Sequence, residues 1–134
     1  MRINFKHCQT CLCIGLSLWL DYAVAGADAG NMPSVTPKEA AAMQSTQKAI
    51  IIDVREDDEW QAQHIPGAIH IPLGQLNERL SELKDYKNSP IITQCRSGKR
   101  SAQAQEALKL AGFTQVVNLS GGLMAWAKAG LTTK

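Results

Sequence analysis

Residues 90–101 have the sequence PIITQCRSGKRS, and this stretch decides how the chain folds. The apolar, β-branched run at its start predicts a short buried strand, and the Ala- and Leu-rich residues 102–111 that follow predict a helix. Cys95 therefore lies where a strand gives way to a helix. Backbone N–H groups at such a helix start have no partner within the helix, so they are available to a neighbouring anion.

The residues around Cys95 are suited to stabilising a thiolate. Gly98 permits a tight turn in which successive amides converge on one anion, and the helix dipole adds partial positive charge. Arg96, Lys99 and Arg100 add full positive charge. We therefore expect a lowered pKa for Cys95 and a nucleophilic sulfur near neutral pH. The alternative, a small buried apolar residue, leaves the glycine and the cations unexplained.

The rest of the chain alternates predicted strands and helices. Thr36–Glu39 reads as a capped helix start, and Ala49–Val54 as a buried strand with Asp53 near its carboxyl end. Leucines spaced by three and four residues predict an amphipathic helix over Leu73–Leu83. Phe113–Leu119 reads as a further strand. This order predicts one α/β domain, with a mostly parallel central sheet and helices on both faces.

Three separated blocks carry a family resemblance: CRSGKR in the loop, IIDVREDDEWQAQHIPGAIHIP at 51–72 and VVNLSGGLMAWAKAG at 116–130. Together they resemble the rhodanese domain, over residues 36–134. The resemblance implies a sulfurtransferase of the thiosulfate sulfurtransferase type. In such an enzyme the Cys95 thiolate takes a sulfane sulfur from a donor such as thiosulfate, forms a persulfide, and passes the sulfur to cyanide or a thiol.

In this interpretation Cys95 is the nucleophile and sulfur carrier, and no metal or organic cofactor is needed. Asp53 is expected either to pair with Arg100 of the loop or to cap the turn that follows its own strand. Arg55 and Glu59 are spaced to form an ordinary surface pair. The donor would be bound by the loop residues Arg96, Ser97, Gly98, Lys99 and Arg100.

Residues 1–27 predict a secretory signal peptide. Arg2 and Lys6 give a positive start, Cys11–Leu20 an apolar segment, and Ala25 and Ala27 alternative cleavage points. The apolar run is too short to span a membrane, so we expect no stable insertion once the signal is removed. Residues 28–35 are small and polar and predict a flexible lead-in. The protein is therefore expected to be exported, to the periplasm in a Gram-negative source.

Removal of this segment would leave a nearly neutral protein with a single cysteine. Residues 1–27 contain two of the 14 cations and one of the 12 anions, which leaves 12 and 11. No basic stripe indicates nucleic acid as a partner. Cys8, Cys11 and Cys13 lie in the predicted signal, so Cys95 has no internal disulfide partner. We expect an exposed, reactive thiol with the neighbouring amides pointing at it.

Two other functions stay open. A phosphatase or arsenate reductase loop has five residues between its cysteine and arginine, but that count from Cys95 ends on Ser101, with Arg100 one residue early. A sulfur carrier or redox partner that hands its persulfide to another protein would use the same loop as the transferase. His64 and His70 lie in no motif that places them beside Cys95.

Overall fold

The computed structural model of the chain describes residues 32–134. The predicted signal peptide and the start of the predicted lead-in therefore lie outside the described residues. No helix within the described part is both long and apolar enough to cross a membrane. In chain order the elements are β1 (Ser34–Val35), α1 (Pro37–Thr46), β2 (Ile50–Asp53), α2 (Asp57–Ala62), β3 (Ile69–His70), β4 (Ile91–Gln94), α3 (Lys99–Leu110), β5 (Val116–Leu119) and α4 (Gly122–Lys128).

The five strands form one sheet in the order β1-β5-β4-β2-β3, and every neighbouring pair is parallel. β4 is the central strand, and Asp53 of β2 is in register with Gln94 of β4. Cys95 thus leaves the middle of the sheet at its carboxyl edge, where binding sites form in open α/β sheets. The predicted parallel sheet is confirmed.

Each face of the sheet has its own apolar core. One core contains Ala104 and Leu108 of α3 with Ile52 and Ile91 of the sheet. The other contains Ala40 of α1, Leu123 and Trp126 of α4, and sheet residues that alternate with the first set. Helices therefore cover both faces, as predicted, because β2 and β4 are apolar on both sides.

The first helix begins as the sequence predicts. Glu39 N–H donates to Thr36 Oγ1 at 3.3 Å, and Thr36 N–H donates to the Glu39 carboxylate at 2.8 Å. This reciprocal capping box is confirmed, with Pro37 in the first turn. Just before it, Ser34 and Val35 form an edge strand on β5, although both lie in the segment predicted to be a flexible lead-in.

The predicted helix over Leu73–Leu83 is wrong. The segment instead forms two 3₁₀ turns, Leu73–Gln75 and Leu80–Tyr86. The leucines come in pairs three residues apart, which matches the three residues per turn of a 3₁₀ helix better than an α-helical stripe. Leu76 and Leu83 are still buried in the core, so the apolar pattern indicated the buried residues correctly but not the helix type.

Candidate active site

The loop between β4 and α3 directs hydrogen-bond donors at the sulfur of Cys95. Gly98 N–H donates to Cys95 Sγ at 3.1 Å, and Ser101 Oγ lies 3.3 Å from the same sulfur. Gly98 has φ +107°, a left-handed conformation that favours glycine, and α3 begins at the next residue. The expectation that neighbouring amides point at the sulfur is met by the structure.

These contacts change the acidity of the thiol. Burial alone would raise the pKa of Cys95, because a charged sulfur is less stable away from water. Hydrogen bonds from the Ser101 hydroxyl and from the amides of Ser101, Gly98 and Ser97 outweigh burial and lower the pKa below its ordinary value. The loop between β4 and α3 therefore stabilises the thiolate form of Cys95 through hydrogen bonds.

The expectation of an exposed thiol is wrong. Cys95 is only 1% exposed, since its side chain packs in the same apolar core as Val54 and Ala104. Its neighbours Arg96, Ser97 and Lys99 are exposed. The sulfur therefore lies at the base of a loop whose outer residues face solvent.

The three cations of the loop differ in their partners. Arg100 donates to both carboxylate oxygens of Glu59, at 2.7 and 2.9 Å. This pairing lowers the pKa of Glu59 to about 2 and raises that of Arg100. Within residues 32–134, the side chains of Arg96 and Lys99 make no salt bridge or hydrogen bond. Arg96 and Lys99 therefore carry the uncommitted positive charge of the loop.

The predicted pairing of Asp53 with Arg100 is wrong. Asp53 is fully buried, and its carboxylate accepts from the Arg55 guanidinium at 2.7–3.1 Å. It also accepts from the Arg55 backbone N–H at 3.0 Å, which confirms the alternative role of capping the following turn. The predicted surface pair of Arg55 with the Glu59 carboxylate is likewise wrong, because Arg55 is 3% exposed and its guanidinium donates to the backbone carbonyl of Glu59 rather than to the carboxylate.

Helix α4 holds the loop from outside. Leu123 N–H donates to the carbonyl of Cys95 at 2.8 Å, and Met124 N–H donates to that of Arg96 at 3.1 Å. The backbone of α4 approaches the loop so closely that a Cβ built on Gly122 would lie 2.4 Å from the Cys95 carbonyl oxygen. Since these carbonyls are fixed toward α4, the amides that follow are free to turn toward the sulfur.

Sequence reasoning missed two residues that support the loop. The Ser101 hydroxyl shares its single proton between Cys95 Sγ at 3.3 Å and Asn118 Oδ1 at 2.6 Å, and Asn118 Nδ2 donates to the Gly98 carbonyl at 3.0 Å. Ser101 is the third helical residue of α3, a position whose side chain points back to the helix start, so the sequence held a signal for it. Asn118 comes from β5, and no local pattern connects it with Cys95.

The two histidines serve another part of the molecule. Their rings stack on Trp60, with centroids 3.8 Å away for His64 and 4.8 Å for His70. A ring nitrogen of His64 donates to the Trp60 carbonyl, and one of His70 donates to the Arg55 carbonyl. No hydrogen bond joins either ring to Cys95 in the described part of the chain.

The parallel sheet and the position of Cys95 between a strand and a helix place the protein among the α/β proteins that carry a cysteine at the carboxyl edge of the sheet. The sequence model of the rhodanese-like domain family matches residues 36–129, and the chain belongs to this family. A rhodanese-related protein of Thermoplasma volcanium has a similar fold, with a TM-score of 0.69 and 26% identity. The alignment covers 76% of this chain and 97% of that one.

Two curated relatives carry names from sulfur chemistry. The thiosulfate sulfurtransferase PspE of Escherichia coli is 40% identical over 70 residues, which are 52% of this chain and 67% of PspE. YrkF of Bacillus subtilis, named as a candidate sulfur carrier protein, is 42% identical over 82 residues, 61% of this chain and 43% of YrkF. The chain spans about half or less of the first curated relatives that it matches.

Proposed function

We propose that this protein is a sulfurtransferase that moves a sulfane sulfur from a donor such as thiosulfate to cyanide or a thiol. One observation carries the proposal: the buried Cys95 sulfur accepts hydrogen bonds from the Gly98 amide at 3.1 Å and from the Ser101 hydroxyl at 3.3 Å. Hydrogen bonds of this kind stabilise a thiolate, and they can also stabilise the terminal negative charge of a persulfide. No metal or organic cofactor takes part in the proposed exchange.

The proposed exchange has two steps. The Cys95 thiolate attacks the sulfane sulfur of thiosulfate, the sulfur–sulfur bond of the donor breaks, and sulfite leaves with the electron pair. Cyanide or a thiolate then attacks the outer sulfur of the persulfide, which releases thiocyanate or a new persulfide and restores the Cys95 thiolate. The outer sulfur lies about 2 Å beyond Sγ, so it can reach an acceptor although Sγ itself is buried.

The charged residues support a role for exposed cations in attracting the donor. Arg96 and Lys99 are available for an anion, whereas Arg100 is paired with Glu59. A phosphatase needs an arginine that encloses the oxyanion, and the engagement of Arg100 weighs against that alternative. The name of PspE supports thiosulfate as a donor, and that of YrkF supports the alternative of a sulfur carrier.

The test is a thiosulfate and cyanide assay that measures thiocyanate, with Cys95→Ser as the matched variant. We expect the variant to lose activity by at least about a thousandfold, because the covalent carrier is gone. Intact mass after thiosulfate alone should show one added sulfur atom in the native protein and none in the variant. Unchanged turnover in Cys95→Ser would eliminate the mechanism.

The same experiment separates a transferase from a carrier. A carrier would load one sulfur atom per chain but form negligible thiocyanate or small-molecule persulfide. Stoichiometric loading without turnover would therefore replace the enzyme with a sulfur carrier that serves a protein acceptor. Activity on a phosphomonoester that exceeds sulfur transfer would restore the phosphatase alternative.

We also propose that the protein is exported and acts in the periplasm of a Gram-negative source. The proposal depends on the signal-like residues 1–27. The intact mass of the protein from fractionated cells tests it. Export predicts a chain that begins after Ala25 or Ala27 in the periplasmic fraction, whereas an uncut chain in the cytoplasm contradicts the proposal.

A further inference from the structure

A groove of about 360 Å³ runs beside the Cys95 loop, between α2 and α4. Arg96 lies at the loop end of the groove, and Cys95 is the residue before it. The α4 side is formed by Leu123, Met124 and Ala127, and the end of α2 contributes Ala62 and Gln63. Its volume is at the low end for small-molecule sites, which suits a compact ligand rather than a protein segment.

The groove has an excess of positive charge. Arg55 and Glu59 also line it, but Arg55 is paired with Asp53, and Glu59 with Arg100. Arg96 is exposed, and its side chain has no ion-pair partner among residues 32–134. One uncompensated cation therefore faces a groove whose other charges are neutralised by neighbours, and this favours an anionic ligand.

The α4 side of the groove is apolar. Leu123 and Met124 lie four and three residues before Ala127, so each neighbours Ala127 on the surface of α4. Met124 is 58% exposed, so its side chain is accessible to a molecule in the groove that it lines. A flexible thioether adapts to ligands of different shape, so this face suits a short aliphatic chain.

We infer that this groove is the acceptor site of the proposed transferase and takes a small thiol that carries a carboxylate. The inference depends on the proposed function. The carboxylate would pair with Arg96, and the aliphatic body would lie on Met124 and Ala127. The acceptor thiolate attacks the outer sulfur of the persulfide, the sulfur–sulfur bond to Cys95 breaks, and the Cys95 thiolate leaves with the electron pair.

Matched thiols and matched variants test the inference. Mercaptopropionate is anionic and mercaptoethanol is neutral, and the ratio of their kcat/KM values measures the preference for charge. In a two-step exchange, kcat/KM for the acceptor depends only on the second step, so donor binding does not enter the ratio. Ala127→Glu adds a negative charge to the groove, and Ala127→Gln adds the same bulk without charge.

We expect Ala127→Glu to lower the ratio of kcat/KM for mercaptopropionate to that for mercaptoethanol about tenfold relative to Ala127→Gln, because the introduced carboxylate repels the carboxylate of mercaptopropionate. Ser120→Glu is the positional control, because Ser120 lines a separate groove on the Ser97–Lys99 side of the loop. It should change the ratio less than twofold relative to Ser120→Gln. An equal effect at both positions, or an effect only at Ser120, overturns the assignment.

Sulfur loading separates this inference from the proposed function. If thiosulfate adds no sulfur to Cys95 in the native protein, the proposed function fails. If loading and thiol turnover proceed but Ala127→Glu and Ala127→Gln have the same ratio, the groove assignment alone fails.

Discussion

The neighbouring strands β2 and β4 each lead into a helix at the carboxyl edge of the sheet. The two strand-to-helix connections, here called corners, differ in how they stabilise a negatively charged side chain. At the β2 corner the buried Asp53 carboxylate is paired with Arg55, and the Glu59 carboxylate accepts the Glu56 N–H at the start of α2. At the β4 corner, α3 starts after Gly98 without a side-chain cap, and the anion that its amides face is the sulfur of Cys95.

We call the β2 corner the closed corner, because its buried carboxylate is paired with Arg55, and the β4 corner the reactive corner, because it holds the Cys95 sulfur. The β2 corner supplies its own carboxylates, which pair with the Arg55 guanidinium and accept the Glu56 N–H at the start of α2. The β4 corner supplies a thiol whose pKa is lowered by hydrogen bonds, and in the proposed function this thiol carries the added sulfur atom. Its loop is held from outside by α4, and Glu59 links the two corners through Arg100.

The largest effect is expected from Asp53→Asn, which breaks the closed corner. The substitution keeps the shape of the side chain but leaves the buried Arg55 guanidinium without a counter-charge. Removing one partner of a buried ion pair costs about 3–5 kcal/mol. Chemical denaturation should therefore show a loss of this size in the free energy of unfolding.

Asp58→Asn is the control for this prediction, because Asp58 is exposed in the first turn of α2. Its removal should cost at most about 1 kcal/mol. A similar small cost at Asp53 would mean that the carbonyls of Glu59 and Gln63, which also accept from Arg55, are sufficient to close the corner.

The next effect is expected from Gly122→Ala, which displaces the outer support of the reactive corner. The new Cβ would lie 2.4–2.5 Å from backbone atoms of Cys95 and Arg96, at φ +58°. The loop must therefore shift, and a displacement near 1 Å can reduce catalysis about a hundredfold. The thiosulfate and cyanide assay that tests the proposed function also measures this loss.

Gly130→Ala separates the clash from backbone strain in this experiment. Gly130 also has a positive φ, of +74°, but nothing lies within 4 Å of the position that its new methyl group would take. We expect Gly130→Ala to lose stability without a comparable loss of activity. Equal activity losses in the two variants would contradict the proposed role of α4 as a support for the loop.

The reactive corner could be predicted from the sequence because its parts are contiguous. The apolar strand, Cys95, Gly98 and the following helix lie within about twenty residues, and local propensities agree with the fold there. The closed corner was harder to predict. Asp53 and Arg55 are only two residues apart, but the choice between Arg55 and Arg100 as partner depends on where α2 places Glu59.

Long-range contacts account for most of the remaining errors. Nothing near Asn118 in the sequence indicates that β5 places it against Ser101 and Gly98. The burial of Cys95 could not be inferred either, because a cysteine at the end of a strand can face solvent or the core. Leucine spacing identified the buried side chains of residues 73–83, but not the 3₁₀ pitch that the backbone adopts.

A smaller effect is expected from Ser101→Ala, which removes one donor to the Cys95 sulfur. The loss of the hydroxyl should raise the pKa of Cys95, because this hydrogen bond favours the thiolate. The rate of sulfur loading should fall about tenfold at neutral pH and recover as the pH rises, since a hydrogen bond to a charged group is worth about 1.5–3 kcal/mol. The loading rate as a function of pH measures the change.

Ser101→Thr is the matched variant for this prediction, since it keeps the hydroxyl. It should restore the pH profile toward that of the native protein. A profile in Ser101→Ala that falls equally at every pH would show a purely structural role for the serine.

The smallest effect is expected from Glu59→Gln, which breaks the link between the corners. The Glu59–Arg100 pair is partly exposed, so its loss should cost about 0.5–1 kcal/mol of unfolding free energy near neutral pH. The pairing lowers the pKa of Glu59 from 4.5 to about 2, so its contribution is complete above pH 4.5 and disappears as the pH falls to about 2. The stability difference between the native protein and Glu59→Gln should shrink over this window. Glu106→Gln, at an exposed position on α3, should show no such window, and a pH-independent difference at Glu59 would mean that the ion pair does not stabilise the link.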